Sequence, residues 1–177
     1  NIQNNIITAS LITSVTTICF LGSSCMYPAN VSQPIKENSL LTGSFEPTNQ
    51  AYALAKCAGV YLCQAIRKQY EIDAFTVVPN NAYGPGDHYD LNRSHVIPAL
   101  IKKVDQAIKN HKQTIVCWGT GSPLRDFIYI DDVAEAIVTC LESRKNLSSD
   151  HMINIGTGHE ISIKQLVNLI CSSMGYT

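Results

Sequence analysis

The chain has 177 residues, 45% of them hydrophobic and 15% charged, with a formal net charge of −1. That length holds a sizeable core, and a near-zero charge without clustered Lys and Arg excludes an electrostatic nucleic-acid surface. The seven cysteines are odd in number and show neither a Cys-x-x-Cys spacing nor a zinc-type cluster with His. They read as reduced thiols used as small hydrophobes, so a cytoplasmic protein with no metal is expected.

Residues 1–35 carry no charge. A signal or membrane segment has that property, but this run holds Asn1, Gln3, Asn4, Asn5 and repeated Ser and Thr, and lacks a basic start. A helix from Asn1 to about Ser14, with Ile2, Ile6, Ile7, Ala9, Leu11 and Ile12 as its apolar positions, accounts for it better. Val15 to Leu21 is rich in β-branched and apolar residues and predicts a fully buried parallel strand. It ends at Gly22-Ser23-Ser24-Cys25. Ligands of open α/β sheets bind beyond the carboxyl ends of strands, which makes Ser23 and Cys25 candidate site residues.

Met26 to Thr48 reads as a long loop, and loops of that length in compact domains are often functional. A helix follows from about Gln50 to Tyr70, with Ala55, Ala58, Leu62, Ala65 and Ile66 as the predicted core stripe. Tyr52 and Lys56 share another face with Gly59, whose missing side chain leaves room for a ligand or neighbour. At a spacing of four, the lysine ammonium lies over the tyrosine, favours its phenolate and lowers its pKa from about 10. Such a tyrosine passes a proton to or from a carbonyl or hydroxyl near neutral pH. Tyr-x-x-x-Lys also arises by chance, so its weight comes from Phe20–Cys25 upstream and Asn80–Pro85 downstream.

Phe75 to Val78 predicts a second buried strand ending in Pro79-Asn80-Asn81. Tyr83 to Arg93 reads as a loop. A helix from Ser94 to about Asn110 follows, with Ser94 as N-cap and His95 on the first turn. The positive helix end disfavours imidazolium, which suits a neutral donor or proton relay; the alternative is a surface histidine near a cap. Thr114 to Cys117 predicts a short strand and Trp118 to Phe127 a turn-rich loop. Trp118 and Arg125 there offer an aromatic face and a guanidinium to a base-plus-phosphate ligand; the alternative is a hairpin with Arg125 paired to Asp126. Ile128 to Ile130 predicts a strand, Asp131 or Asp132 the cap of a helix to about Leu141, and Met152 to Ile155 a strand. Ser162 with Gln165 forms a capping box, and Ile161 with Leu166 a hydrophobic staple, opening a last helix to about Met174.

Taken together, Phe20–Pro28, Glu46–Asn49, Tyr52–Lys56, Ser94–Leu100 and Trp118–Phe127 resemble the extended short-chain dehydrogenase/reductases, the sugar-nucleotide epimerases and dehydratases. The Tyr/Lys pair is generic there; the Cys25 and Ser94–Pro98 stretches are more specific. The resemblance implies an α/β fold: a partial Rossmann-like, doubly wound parallel sheet with part of a small α/β substrate-binding domain. Residues 1–80 would be the C-terminal half of the dinucleotide-binding domain and 81–177 mostly substrate-binding, with strands returning to the sheet. It implies a nucleotide-sugar substrate, GDP-4-keto-6-deoxymannose, epimerised at C3 and C5 and then reduced at C4 by NADPH. By the same resemblance Cys25 and His95 take the proton transfers, and Tyr52, Ser23 and Lys56 serve the reduction. Leu21, Gly22, Ser23, Ser24, Lys56, Pro79, Asn80, Asn81, Ala82 and His95 line the NADP(H) site, and Lys103, Trp118 and Arg125 contact substrate.

The family's glycine-rich pyrophosphate motif would lie N-terminal to residue 1, and its last substrate-binding segment beyond residue 177. A fragment of a longer protein, inactive alone, is therefore expected. Lys103 stands where arginine is usual, which removes a bidentate phosphate contact, and Asn80 where threonine is usual. Another NAD(P)-dependent nucleotide-sugar epimerase or dehydratase, and a non-catalytic scaffold, are the alternatives. The resemblance also implies a homodimer, paired through the Tyr52 helix and the helix before it, without nucleic-acid or membrane partners.

Overall fold

The computed structural model describes residues 2–144 and 151–176. The chain divides into two compact units: Asn1–Asn80 with Asp132–Ile155, and Asn81–Asp131 with Gly156–Thr177.

In the first unit, α1 (Ile2–Ile12) leads to β1 (Thr17–Leu21), then α2 (Gln50–Tyr70), β2 (Asp73–Pro79), α4 (Ile130–Glu142, from Asp132 on) and β5 (Met152–Ile155). The sheet runs β1-β2-β5, all parallel, with Leu21 opposite Val77 and Pro79 opposite Ile155. Parallel strands share a carboxyl edge, so the ends of β1 and β2 lie side by side. The central β2 is buried from Ala74 to Val78, as a strand covered on both faces should be. β1 departs from the expected full burial: among the described residues it pairs on one side only, Thr17 to Phe20 are half-buried and Leu21 is exposed.

α2 has the predicted bounds but a different buried face. Ala53, Cys57, Gly59, Val60, Cys63 and Ile66 are buried, whereas Ala55, Ala58 and Ala65 are exposed. Small apolar residues occupy both sides of this helix, so spacing alone could not choose. The bulkier side chains settle it: Cys57 and Val60 pack with Met26, Tyr27, Val78 and Met152, while Cys63 and Ile66 pack with Ile7, Ile72 and Ala74. The space at Gly59 is taken by a neighbour, since a Cβ there would lie 2.3 Å from Phe20 Cζ. α1 likewise buries only Ile7 and Ser10, leaving Ile2 and Ile12 about 80% exposed. Arg67, at the end of α2, pairs with Asp73 at the start of β2, and Arg144 Nε lies 3.0 Å from the same carboxylate.

The second unit holds β3 (Asn81–Tyr83), α3 (Val96–Lys109), β4 (Leu124–Tyr129), β6 (Glu160–Ser162) and α5 (Ile163–Ser173). β3 pairs parallel and β6 antiparallel with β4. Leu100 and Val104 of α3 pack on Leu166 and Ile170 of α5. Both hydrogen bonds of the Ser162/Gln165 capping box are present, and Ile161 joins the cluster around Leu166.

Several boundaries differ from expectation. β3 and β6 are three residues each, too short to show a period, and exist through pairing with β4. β4 begins at Leu124 rather than Ile128, because its exposed first half is zipped to β6. Thr114 to Cys117 is no strand: Lys103 Nζ donates to Val116 O at 2.9 Å, and Ile115 and Cys117 turn into the α3/α5 cluster. Asp131 and Asp132 lie inside the first turn of α4, where carboxylates favour the helix dipole without capping it.

Replacing Gly59 by Ala in the whole protein gains up to about 1 kcal/mol of helix propensity, but must displace the Phe20 ring, which costs about 1–3 kcal/mol. A net loss of about 1 kcal/mol is expected in denaturant unfolding, with Phe20→Leu in the same molecule recovering part of it. A Gly59→Ala variant as stable as the parent would contradict this packing.

Candidate active site

In the first unit, the last rung of β1 is Gly22 N donating to Val77 O at 2.8 Å. The chain then doubles over itself: a Cβ on Gly22 would lie 2.8 Å from Met26 Cε and 3.1 Å from Val78 Cγ2. Ser23 is extended and caps a 3-10 turn, Ser24–Met26, its Oγ accepting from Cys25 N at 3.4 Å and its carbonyl from Met26 N at 3.0 Å. Ser23, Ser24 and Cys25 are half-buried on this turn, ahead of the buried Met26 and Tyr27.

The 26–48 segment is better ordered than a plain loop. It contains the 3-10 turns Glu37–Ser39 and Pro47–Asn49, and β5 holds it. Tyr27 Oη donates to Asn154 Oδ1 at 2.6 Å, Asn154 N donates to Glu37 Oε1 at 2.9 Å, and Asn154 Nδ2 donates to Ile35 O at 3.1 Å. Burial, helped by the Glu37 carboxylate and Cys57 and opposed by the bond to Asn154, pushes the Tyr27 phenol up to about 12.

The segment ends at Glu46, whose carboxylate accepts from the Thr48 hydroxyl and from Asn49 N at 3.1 Å; the Thr48 bonds hold it below the usual carboxylate range. That turn launches α2. Tyr52 is 49% exposed on its first turns, and Lys56 follows one turn later. Lys56 Nζ donates to Leu21 O at 2.8 Å, and sits 5.2 Å from the Phe20 ring centroid and 5.8 Å from that of Tyr52. One ammonium therefore joins the end of β1 to the tyrosine helix. Pro79 and Asn80, at the neighbouring strand end, are half-buried, and Asn80 N donates to Ile155 O at 2.8 Å.

Burial pushes Cys19 and Cys63 up to about 11, with Cys140 adding to the first and Cys19 to the second. It also raises Cys57, Cys140 and Cys171. These five behave as neutral small hydrophobes; Cys25 lies on the turn after β1.

In the second unit, His95 is exposed and is itself the N-cap of α3, its carbonyl accepting from Ala99 N at 3.0 Å. Ser94 is not the expected cap: its Oγ is buried and meets no hydrogen-bond partner among the described residues. Lys103 is half-buried, with Nζ 4.7 Å from the ring centroid of Trp118, which is 82% exposed. Arg125 is exposed on β4, its Nη1 donating to Leu124 O at 2.7 Å. Asn81 Nδ2 donates to Asp126 O at 2.8 Å, and Ala82 lies opposite Ile128. A cavity of about 410 Å³, lined by Tyr83, Tyr89, Tyr129, Asp87, Ile97 and Ile101 among others, contains none of the candidate residues. Residues so dispersed leave no spacing signal in the sequence.

Residues 1–156 match the model of the NAD dependent epimerase/dehydratase family. A GDP-L-fucose synthase of Sinorhizobium fredii is 47% identical over 174 residues, covering 98% of this chain and 54% of that protein. A GDP-L-fucose synthetase of Naegleria fowleri, solved bound to NADP, superposes with a TM-score of 0.89 at 28% identity, over 99% of this chain and 56% of that one. A GDP-mannoheptose C4 reductase of Campylobacter jejuni, solved with NADP bound, gives 0.87 at 31% identity, over 99% and 62%. The chain thus spans about half the length of the curated relatives it matches.

The burial of Tyr27 yields a pH prediction. The folded state raises the Tyr27 phenol from 10.0 to about 12, so it holds the proton more tightly than the unfolded chain. The associated stability is fully present below pH 10 and is lost as pH rises towards 12, by about 1–3 kcal/mol. Cys19 and Cys63 act in the same direction between pH 9 and 11. Tyr27→Phe is expected to cost about 1 kcal/mol at pH 8 and to flatten the fall above pH 10, as read by denaturant unfolding of the whole protein. An unchanged slope above pH 10 would contradict the assignment.

Proposed function

We propose, for a chain that belongs to the NAD dependent epimerase/dehydratase family, that the whole protein is a GDP-L-fucose synthase. It epimerises GDP-4-keto-6-deoxy-D-mannose at C3 and C5 and then reduces C4 with NADPH to give GDP-L-fucose. The observation that carries this reading is the Lys56 contact, which ties the Tyr52 helix to the strand end where Ser23 and Cys25 follow. The identity to the Sinorhizobium enzyme supports the choice of substrate.

Each half of the reaction asks for its own groups. C3 and C5 flank the C4 ketone, so a base removes a proton from each and an acid returns one on the other face, through enediolate intermediates. Cys25 and His95 take these roles, because thiol and imidazole both exchange protons near neutral pH. His95 is the N-cap residue of α3 and is exposed there. In the reduction Tyr52 gives its proton to the C4 oxygen, Ser23 hydrogen-bonds the same oxygen, and Lys56 stabilises the phenolate left behind. Trp118 offers a stacking face to the base, Arg125 a fork to the diphosphate, and Lys103 a single charge.

NADPH supplies the hydride when bound. The residues that would hold its nicotinamide end are Lys56, whose ammonium is fixed at the end of β1, Ser23 on the turn that follows, and the exposed Leu21, with Asn81 proposed beside them. Gly22, Ser24, Pro79, Asn80, Ala82 and His95 complete the proposed lining. No Gly-x-Gly-x-x-Gly occurs in the 177 residues. We propose a homodimer formed through α1 and α2, whose exposed Ile2, Ile6, Leu54 and Tyr61 favour such burial. We propose a cytoplasmic location, consistent with the neutral thiols; among the described residues no helix is long and apolar enough to cross a membrane.

The likeness to a C4 reductase favours a second reading, reduction of a related GDP-keto-sugar without epimerisation. In the whole protein, GDP-4-keto-6-deoxymannose with NADPH is expected to yield GDP-L-fucose. Tyr52→Phe is expected to lower the reductive kcat by about 10²–10⁴-fold while epimers still form. NADPH oxidation giving only a product unchanged at C3 and C5 would favour the second reading. A Tyr52→Phe enzyme as fast as the parent would remove Tyr52 from the mechanism.

A further inference from the structure

Asp126, next to Arg125 on β4, accepts an unusual number of hydrogen bonds. Its carboxylate takes Thr157 N at 3.2 and 3.1 Å, the Thr157 hydroxyl at 2.5 Å and Gly158 N at 3.1 Å. Two successive backbone N–H groups, with Gly158 at φ +74°, form a concave anion seat, and the chain's own carboxylate fills it. The seat is braced from behind, since His159 N donates to Thr157 Oγ1 at 3.2 Å. The next residues enter β6, where Glu160 lies opposite Asp126 and Ile161 opposite Arg125. On the other side of β4, the Asp126 carbonyl receives Asn81 Nδ2. One residue therefore gathers β3, β4 and the turn before β6.

Successive side chains of a strand point to opposite faces, so whatever fixes Asp126 on one face sets the direction of Arg125 on the other. Apart from this knot and the bond from its Nη1 to Leu124 O, Arg125 is exposed on a strand whose outer half is held by a three-residue partner. We propose that Asp126, through Thr157, is a positioning residue for Arg125, aiming its guanidinium at the diphosphate of the nucleotide-sugar. This rests on the reading of Arg125 as a substrate contact. Asp126 neither touches the substrate nor takes part in proton transfer. It acts by holding the strand that bears the contact, and charge-assisted bonds suit that task because they are short and directional.

The test uses steady-state kinetics of the whole protein with GDP-4-keto-6-deoxymannose. Thr157→Val keeps the shape of the side chain and removes the hydroxyl donor, while Thr157→Ser keeps the donor. Asp126→Asn turns an N–H group towards the backbone donors. Thr157→Val and Asp126→Asn are expected to raise KM for the GDP-sugar about tenfold with kcat within about twofold; Thr157→Ser is expected to match the parent. In an Arg125→Met background, which itself raises KM, Thr157→Val is expected to add nothing. A purely structural role would instead lower the active fraction and leave KM unmoved. If Asp126→Asn fails to fold, the Thr157 pair decides alone. Arg125→Met raising KM while Thr157→Val does not, or full additivity of the two, overturns the inference alone. KM unmoved by Arg125→Met overturns the reading of Arg125 and the inference with it.

Discussion

The geometry of the first unit depends on one hydrogen bond, from the Lys56 ammonium to the carbonyl of Leu21 at 2.8 Å. A strand end leaves carbonyls without ladder partners, and an ammonium has three donors and no acceptor. Meeting here, they hold α2 against the end of β1. The Phe20 and Tyr52 rings flank the same charge and gain cation–π attraction from it. Gly59 completes the arrangement by letting Phe20 approach the helix closely. Packing and chemistry therefore share one lysine: the group proposed to stabilise the phenolate left after reduction is also the one that fixes the helix carrying Tyr52.

The same economy governs the turn that holds Cys25. Gly22 makes it tight, Ser23 caps it, and the buried Tyr27 anchors it through Asn154 on β5. Asn154 uses its backbone N–H and both ends of its side-chain amide to hold Glu37, Ile35 and Tyr27, so a long segment rests on one residue of β5. In the proposed reaction this order matters. A thiol that must reach protons on two carbons gains from a fixed turn, because misplacement by about 1 Å costs orders of magnitude in rate.

Much of this was legible beforehand, for physical reasons. α2, α5, β2 and β5 announced themselves through length, apolar content or a capping box, all local properties. The strand-end position of Ser23 and Cys25 followed from the parallel sheet, and the Tyr52/Lys56 pair from helical spacing. What escaped was decided by tertiary pairing. β3 and β6 have three residues each and are made by β4. The buried face of α2 was hidden because Ala55, Ala58 and Ala65 mimic a core stripe that Cys57, Val60 and Cys63 supply. Ser94 looked like a cap by residue type, yet the backbone enters the helix at His95. Asp126 looked like a salt-bridge partner for Arg125, whereas its carboxylate accepts from a turn some thirty residues later in the chain.

The central claim is that Cys25 exchanges protons beside a ketone which Tyr52 then helps to reduce. It is tested most directly by incubating the whole protein with GDP-4-keto-6-deoxymannose in heavy water, without and with NADPH, as parent and as Cys25→Ser. The account predicts deuterium at both C3 and C5 in the parent, suppression of that wash-in by Cys25→Ser, and GDP-L-fucose only when NADPH is present. Oxidation of NADPH without deuterium at either carbon would contradict it.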